Sequence, residues 1–181
     1  MLGLSSSITH SSFDPLDLLG TYTSDFASGT DSWGDFSVST GTQTKTANQS
    51  IGGRSGVLKV SYNADETVQF GLELATPWSE DFKIGDQVYV SLDFYFVDED
   101  PQDGGTTNVP YFQAGDVYNP SRRISKGFGT AYWHTLAGTK TIIAGTNDEN
   151  MRIGFASQDT APGTGDHWYL DNVVVKHYRP K

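Results

Sequence analysis

The chain has 181 residues, of which 36% are hydrophobic and 13% aromatic, with 20 glycines and no cysteine. This length supports one sizeable core, and the glycine- and aromatic-rich composition favours an all-β domain over a helical bundle. The net charge of −10 repels phosphate backbones and anionic lipids, so neither nucleic acid nor a membrane is expected as a partner.

The first 24 residues are rich in Ser, Thr and Leu and show no clear strand period. Within them, FDPLDLLG (13–20) is compatible with a helical turn after Pro15 or with an extended arm. The segment lacks the basic region and the continuous apolar stretch of a signal peptide. It also has too little apolar surface to fold alone. We therefore predict an N-terminal arm over 1–24 that packs on another protein or a second copy through Leu2, Leu4, Ile8, Phe13, Leu16, Leu18 and Leu19.

From residue 25 onward the pattern is that of short β-strands separated by clusters of Gly, Pro, Asn and Asp. The clearest strand is DQVYVSLDFYFV (86–97), in which apolar residues alternate with Tyr, Ser and Asp. We predict an all-β, two-sheet antiparallel β-sandwich over 25–178, a short tail over 179–181, and a core that includes Val88, Val90, Leu92, Phe94, Ile153 and Phe155.

Several segments occur in an order that resembles a known family. They are SDFASGTDSWG (24–34), GRSGVLKVSY (53–62), the strand at 86–97, YWHTLAGTKTI (132–142), MRIGFAS (151–157) and WYLDNVVV (168–175). This order resembles the jelly-roll carbohydrate-binding modules with a galactose-binding-like fold. The resemblance covers roughly residues 24–176 and implies a jelly roll with affinity for a glycan.

The resemblance also implies a structural calcium ion, held by Asp171 of the final strand with Asp25 nearby in the opening strand. Oxygen ligands of this kind suit calcium. Ala27, however, stands where the family commonly has a glutamate. The alternative is that Asp171 satisfies backbone amides at a bulge that joins the first and last strands, because a buried carboxylate needs some partner.

Sugar binding by such modules relies on aromatic rings that stack on pyranose faces and on polar groups that fix the hydroxyls. Tyr89, Asp93 and Tyr95 share the outward face of the strand at 86–97, and we predict Tyr111, Gln113 and Arg152 as their neighbours. Trp133 and Trp168 are further candidates. The other interpretation is that these tyrosines are ordinary β-formers on an exposed sheet face.

No motif indicates an enzyme. His10, His134, His167 and His177 form no metal-ligand spacing, and the chain has no nucleophile elbow, P-loop or dinucleotide fingerprint. We expect a protein without catalytic activity.

The leader MLGLSSSI and the overall layout resemble small accessory virion proteins of tailed bacteriophages. This resemblance implies a capsid decoration or tail protein on the virion surface, assembled in the host cytoplasm. Its implied partners are the major capsid protein, further copies of itself, for which a trimer is expected, and a cell-surface glycan. The alternative is a free-standing, extracellular carbohydrate-binding module that binds a polysaccharide.

Overall fold

The structure, a computed structural model, describes residues 15–37, 43–62, 70–97, 109–115, 122–125, 132–156 and 167–181. Within these ranges the chain forms strands and no α-helix. They are β1 (Leu16–Ser24), β2 (Gly34–Ser37), β3 (Gln43–Ile51), β4 (Arg54–Tyr62), β5 (Phe70–Ala75), β6 (Gln87–Val97), β7 (Val109–Ala114), β8 (Arg123–Ser125), β9 (His134–Thr141), β10 (Asn150–Ala156) and β11 (His167–Pro180). No helix in this part of the chain has the length and apolar character needed to cross a bilayer.

The strands form two antiparallel sheets. Sheet A has six strands in the order β3-β4-β11-β6-β9, with β1 paired to β11, and sheet B has five in the order β2-β5-β10-β7-β8. Buried side chains from both sheets form one core cluster between them. The predicted fold class, a two-sheet antiparallel sandwich, is confirmed.

The core follows from the period-two alternation of β6. Residues of this strand alternate strictly between buried and half-buried, as expected for a strand with one face on a core. Val88, Val90, Leu92 and Phe94 are each 1% exposed or less, and Ile153 of β10 is 2% exposed. These five core predictions are confirmed, whereas the side chain of Phe155 lies outside the described residues.

The long strand β11 pairs with β4, β6 and β1, and its pairing is interrupted in its middle. Its pairing with β6 shifts register between Asp171 and Val174, and Asn172 has a φ of 50°. Asparagine tolerates this left-handed conformation better than other non-glycine residues. The predicted bulge at Asp171 is therefore present, and beyond it the closing strand pairs with β1 as well as with β6.

The arm predicted over residues 1–24 is wrong in its second half. Residues 16–24 form β1, which pairs with β11 from Leu16–Pro180 to Ser24–Val173, so backbone pairing rather than burial orders this polar segment. Leu18 remains 56% exposed, while Leu16 and Leu19 are half-buried. The arm residues Leu2, Leu4, Ile8 and Phe13 lie outside the described residues. The predicted 179–181 tail is wrong too, since Arg179 belongs to β11.

Near the carboxyl end of β11, a buried polar network ties the strand to the segment before β6. His177, with no exposed surface, places Nε2 2.7 Å from Oδ2 of Asp86, and its Nδ1 lies 3.1 Å from the indole nitrogen of Trp78. Arg179 donates from Nε and Nη2 to the same Asp86 carboxylate. Because the indole can only donate, His177 is the neutral tautomer that carries its proton on Nε2.

Candidate binding surfaces

An aromatic platform, defined as Tyr95, Trp133 and Tyr169, lies on the outer face of sheet A. Tyr95 projects outward between the core residues Phe94 and Phe96, and it is paired across the sheet with Tyr169. The ring centres of Tyr95 and Tyr169 are 6.2 Å apart, and those of Tyr95 and Trp133 are 5.6 Å apart, both edge to face. Tyr95 and Trp133 are half-buried, so parts of their rings reach solvent.

The β3–β4 hairpin holds the platform from one side. Its two-residue turn is Gly52-Gly53, with φ values of 56° and 81°, a conformation that glycine adopts without strain. A Cβ at Gly52 would lie only 2.7 Å from Nε1 of Trp133. That indole nitrogen also donates to the carbonyl of Ile51 at 3.3 Å. The turn therefore needs glycine for its backbone and for the close approach of the indole.

A charged network, defined as Arg54, Asp93, Asp171, Asn172 and Thr135, borders the platform. Nη1 of Arg54 lies 2.7 Å from Oδ2 of Asp93 and 3.1 Å from Oδ2 of Asp171. The Thr135 hydroxyl donates to Asp93, and the Asn172 amide donates to both carboxylates. One guanidinium thus bridges two carboxylates. The largely buried carboxylate of Asp171 has its hydrogen-bond partners in Arg54 and Asn172.

The network keeps Asp93 ionised. Burial alone would raise the pKa of Asp93, but the hydrogen bonds from Asn172, Thr135 and Arg54 outweigh it, and the pKa is lowered. The side chain of Asp93 is 13% exposed. Its carboxylate therefore presents fixed acceptor oxygens beside the aromatic rings.

The other outward tyrosine of β6 does not join the platform. Tyr89 lies six residues from Tyr95, about 20 Å along the strand, and its ring is 6.0 Å from Nζ of Lys176. Trp168 is fully buried in the core, so its assignment as a surface candidate is wrong.

Three of the predicted residues, Tyr111, Gln113 and Arg152, lie on the outer face of sheet B, away from the platform. Together with Phe36, Glu73 and Arg123 they form a group that we define as the polar layer. Their neighbours along each strand, such as Leu72, Phe112 and Ile153, belong to the core. The expectation that Tyr111, Gln113 and Arg152 adjoin Tyr89, Asp93 and Tyr95 is therefore wrong, because the core separates the two sets.

The polar layer is tightly connected. Nε of Arg123 donates to Oε1 of Gln113 at 2.5 Å, and its guanidinium carbon lies 4.3 Å from the Tyr111 ring centre. Nε of Arg152 lies 2.5 Å from Glu73, and its guanidinium carbon is 5.3 Å from the Phe36 ring centre. Burial lowers the pKa of Arg123.

Two polar atoms of this layer have no hydrogen-bond partner in the part of the chain that the structure describes: the Tyr111 hydroxyl and Nε of Arg152, which makes only an ion pair with Glu73. The Tyr111 side chain is 1% exposed, and its hydroxyl oxygen has no hydrogen-bond partner among the described residues. Burial raises the pKa of this tyrosine, so the hydroxyl keeps its proton and can donate as well as accept. A buried hydroxyl of this kind is costly unless something binds it.

The predicted calcium ligands do not form a suitable donor set. Both Oδ atoms of Asp171 are engaged, by Arg54, by the Asn172 amide and by the Asn172 backbone N–H. Asp25 lines a shallow pocket beside Asp31 and Asn172, and its Oδ1 accepts from the Ala27 N–H. Within the described ranges, no three His, Asp or Glu side chains are grouped to hold a metal ion. The Arg54 guanidinium occupies the position beside Asp171 in which a metal ion would have to bind.

The members of these surfaces that sequence reasoning missed include Arg54, Thr135, Tyr169, Phe36, Glu73 and Arg123. Arg54 follows Gly52-Gly53 in the sequence, and Arg123 closely follows Asn119-Pro120-Ser121, so both lie in patterns that favour turns over strands. The outward direction of Tyr169 and Glu73 was predictable from the sequence, because each alternates with apolar residues along its strand. Their sheet neighbours, however, depend on strand order, which period-two alternation does not specify.

No protein-family model and no curated protein sequence matches the chain. Solved structures do resemble it. The C-terminal family 22 carbohydrate-binding module of Clostridium thermocellum Xyn10B superposes with a TM-score of 0.53 at 16% identity, over 85% of this chain and 90% of that one. A xylan-binding domain of the same module family gives a TM-score of 0.56 at 15% identity, over 85% and 92%.

A third similar structure is the family 11 carbohydrate-binding module from Clostridium thermocellum in complex with a β-1,3-1,4-mixed-linked tetrasaccharide. Its TM-score is 0.51 at 15% identity, with 87% of this chain and 95% of that one covered. At these identities the likeness establishes the jelly-roll fold shared with carbohydrate-binding modules.

Proposed function

We propose that the protein is a non-catalytic glycan-binding module whose polar layer on sheet B contacts the sugar. The observation that carries this proposal is the buried Tyr111 hydroxyl, which has no partner among the described residues. A sugar hydroxyl is a matched partner, because both groups donate and accept. The unsatisfied group thereby becomes satisfied when the ligand binds.

The rest of the polar layer has the chemistry that hydroxyl recognition needs. Arg123 and Arg152 present planar forks of N–H donors, while Gln113 and Glu73 supply acceptor oxygens. Phe36, Glu73 and Arg123 are half-buried, whereas Tyr111 and Gln113 are buried. We infer that the half-buried members form the entrance of the site and the buried ones its floor.

The ligand class that fits best is a neutral, β-linked polysaccharide. The similar structures include a xylan-binding domain and a module in complex with a β-1,3-1,4-mixed-linked tetrasaccharide. The net charge of −10 disfavours uronate-rich or sulfated glycans, since a polyanion is repelled at long range.

Affinity electrophoresis of the full chain tests the proposal. Native gels would contain xylan, mixed-linked β-glucan, polygalacturonate or no polysaccharide. We expect retarded migration with one of the two neutral polysaccharides and none with polygalacturonate. Unchanged migration with both neutral polysaccharides, or retardation by polygalacturonate alone, would contradict the proposal.

The virion location stays a prediction, as do the capsid and oligomer partners expected with it. None of the three similar structures named above is a virion protein. The alternative interpretation, a polysaccharide-binding module, is the one that the fold comparisons support better. Its extracellular location stays a prediction.

A further inference from the structure

We propose a second glycan-binding site on the aromatic platform of sheet A, so that each chain is bivalent. The inference rests on the proposed function, because the ligand class is the same neutral polysaccharide. The first supporting observation is the composition of the surface, in which half-buried Tyr95 and Trp133 rings lie beside the fixed carboxylate of Asp93. Aromatic rings take the apolar face of a pyranose, and carboxylate oxygens take its hydroxyls.

The second observation is that the platform is held in place before any ligand arrives. Trp133 is fixed by Ile51 on the β3–β4 turn and by the guanidinium of Arg54, which lies 4.2 Å from its ring centre. Tyr95 packs edge to face on the Trp133 ring. A site whose rotamers are fixed loses less conformational entropy on binding.

Charge favours a neutral occupant here as well. Arg54 is already bridged to Asp93 and Asp171, so its charge is compensated and is not available for an anionic ligand. Of the nearby cations, Lys59 lies 5.9 Å from the Tyr169 ring centre and faces aromatic surface. Around the platform the two carboxylates are thus balanced by the Arg54 guanidinium and the Lys59 ammonium, so no excess positive charge favours a uronate or a sulfate.

The two sites act independently because the hydrophobic core lies between them. No single sugar residue can contact both Tyr111 and Trp133, but one protein can bind two polysaccharide chains or two segments of one chain. Bivalence of this kind raises apparent affinity for a polymer without new contacts, and it cross-links polymers in solution.

The experiment compares four proteins: the full wild-type chain, Trp133→Ala, Tyr111→Phe and the control Tyr178→Ala. Tyr178 is a half-buried aromatic of sheet A that pairs with Gln87 and Leu18, away from the platform. Each folded protein is titrated with xylohexaose or a mixed-linked glucan tetrasaccharide and followed by amide NMR shifts. Light scattering then follows each protein mixed with the long polysaccharide. Tyr95→Ala replaces Trp133→Ala if the latter fails to fold.

We expect two groups of shifted amides in the wild type, one on each sheet. In Trp133→Ala the sugar affinity of the platform falls by at least about tenfold, so the sheet A amides no longer shift. The sheet B amides still shift. Trp133→Ala also abolishes the rise in light scattering, which Tyr178→Ala retains. Shifts confined to sheet B would overturn the second site and leave the proposed function intact. Shifts confined to sheet A would overturn both the bivalence and the polar-layer site, and no shifts with either sugar would overturn the proposed function itself.

Discussion

The guanidinium carbon of Arg54 lies 4.2 Å from the ring centre of Trp133, and the same guanidinium bridges Asp93 and Asp171. One side chain thus links the aromatic platform to the bulge of the closing strand. A lysine can replace the charge but not the planar surface that stacks on an indole. Arg54 is therefore a positioning residue for the platform as well as the counter-ion of the bulge.

Replacing Arg54 by Lys separates these two roles. We expect Arg54→Lys to keep a melting temperature close to that of the wild type, since one ammonium can still pair with a carboxylate. The sugar affinity of the platform should fall several-fold, because the Trp133 ring loses its stacked support. NMR titration and thermal unfolding measure the two effects. An unchanged platform affinity in the folded variant would contradict the positioning role.

Asp171 stabilises the bulge through Arg54 and through its own next backbone N–H. Asp171→Ala removes these hydrogen bonds, which lie at a site where the Arg54 side chain is 33% exposed. Solvent screens such a pair, so we expect a loss of about 1–2 kcal/mol in the free energy of unfolding. Chemical denaturation measures it, with Asp25→Ala as the control because Asp25 is exposed. An equal loss of unfolding free energy in Asp171→Ala and Asp25→Ala would contradict the role of Asp171 in stabilising the bulge.

A chelator distinguishes this account from the calcium interpretation. Because the Asp171 oxygens are engaged by nitrogen donors, we expect EDTA to leave the melting temperature of the wild type unchanged. A calcium-dependent melting temperature that Asp171→Ala abolishes would restore Asp171 as a metal ligand.

Stability should depend on pH through His177. Burial lowers the pKa of this histidine below its ordinary value of 6.5, although Asp86 opposes the shift. The unfolded chain therefore binds the proton more readily, so the stabilisation is complete above pH 6.5 and is lost as the pH falls below it. Protonation would also place an Nδ1–H against the Trp78 indole N–H.

Thermal unfolding between pH 8 and pH 5 checks this, with His177→Gln as the variant. The acid-induced decrease in melting temperature should be smaller in His177→Gln than in the wild type. Other charges near the histidine, namely Arg179 and Glu80, are unchanged in the variant and serve as an internal control. An identical pH profile for the two proteins would exclude His177 as the source.

Truncation of the amino terminus tests the role of β1. Deleting residues 1–14 preserves Pro15, whose carbonyl accepts from the Lys181 N–H, and preserves all of β1. We expect that protein to remain folded. Deleting residues 1–24 removes the strand and leaves one edge of β11 from Val173 to Pro180 without its partner, so it should lower the melting temperature or abolish folding. Equal melting temperatures for the two truncations would contradict an integral β1.

The sequence allowed β6 and its core residues to be predicted because a strict alternation identifies both a strand and its buried face. It did not predict β3, whose residues Gln43–Ile51 are mostly polar and half-exposed or exposed along the edge of sheet A. The candidate glycan contacts lie on two different sheets, and the sequence did not predict this for a related reason. Alternation shows that Tyr95 and Tyr111 point away from the core, but only strand order shows that they do so on different sheets.

The measurement that tests the polar-layer site most directly is the effect of Tyr111→Phe on binding and stability together. The variant removes only the unpartnered hydroxyl and keeps the ring beneath Arg123. We expect the melting temperature without sugar to be equal or higher, because a costly buried group is gone. The affinity of the sheet B site for the neutral oligosaccharide should fall by about tenfold. An unchanged affinity at that site, or a clear loss of stability without sugar, would contradict the assignment of this hydroxyl to ligand binding.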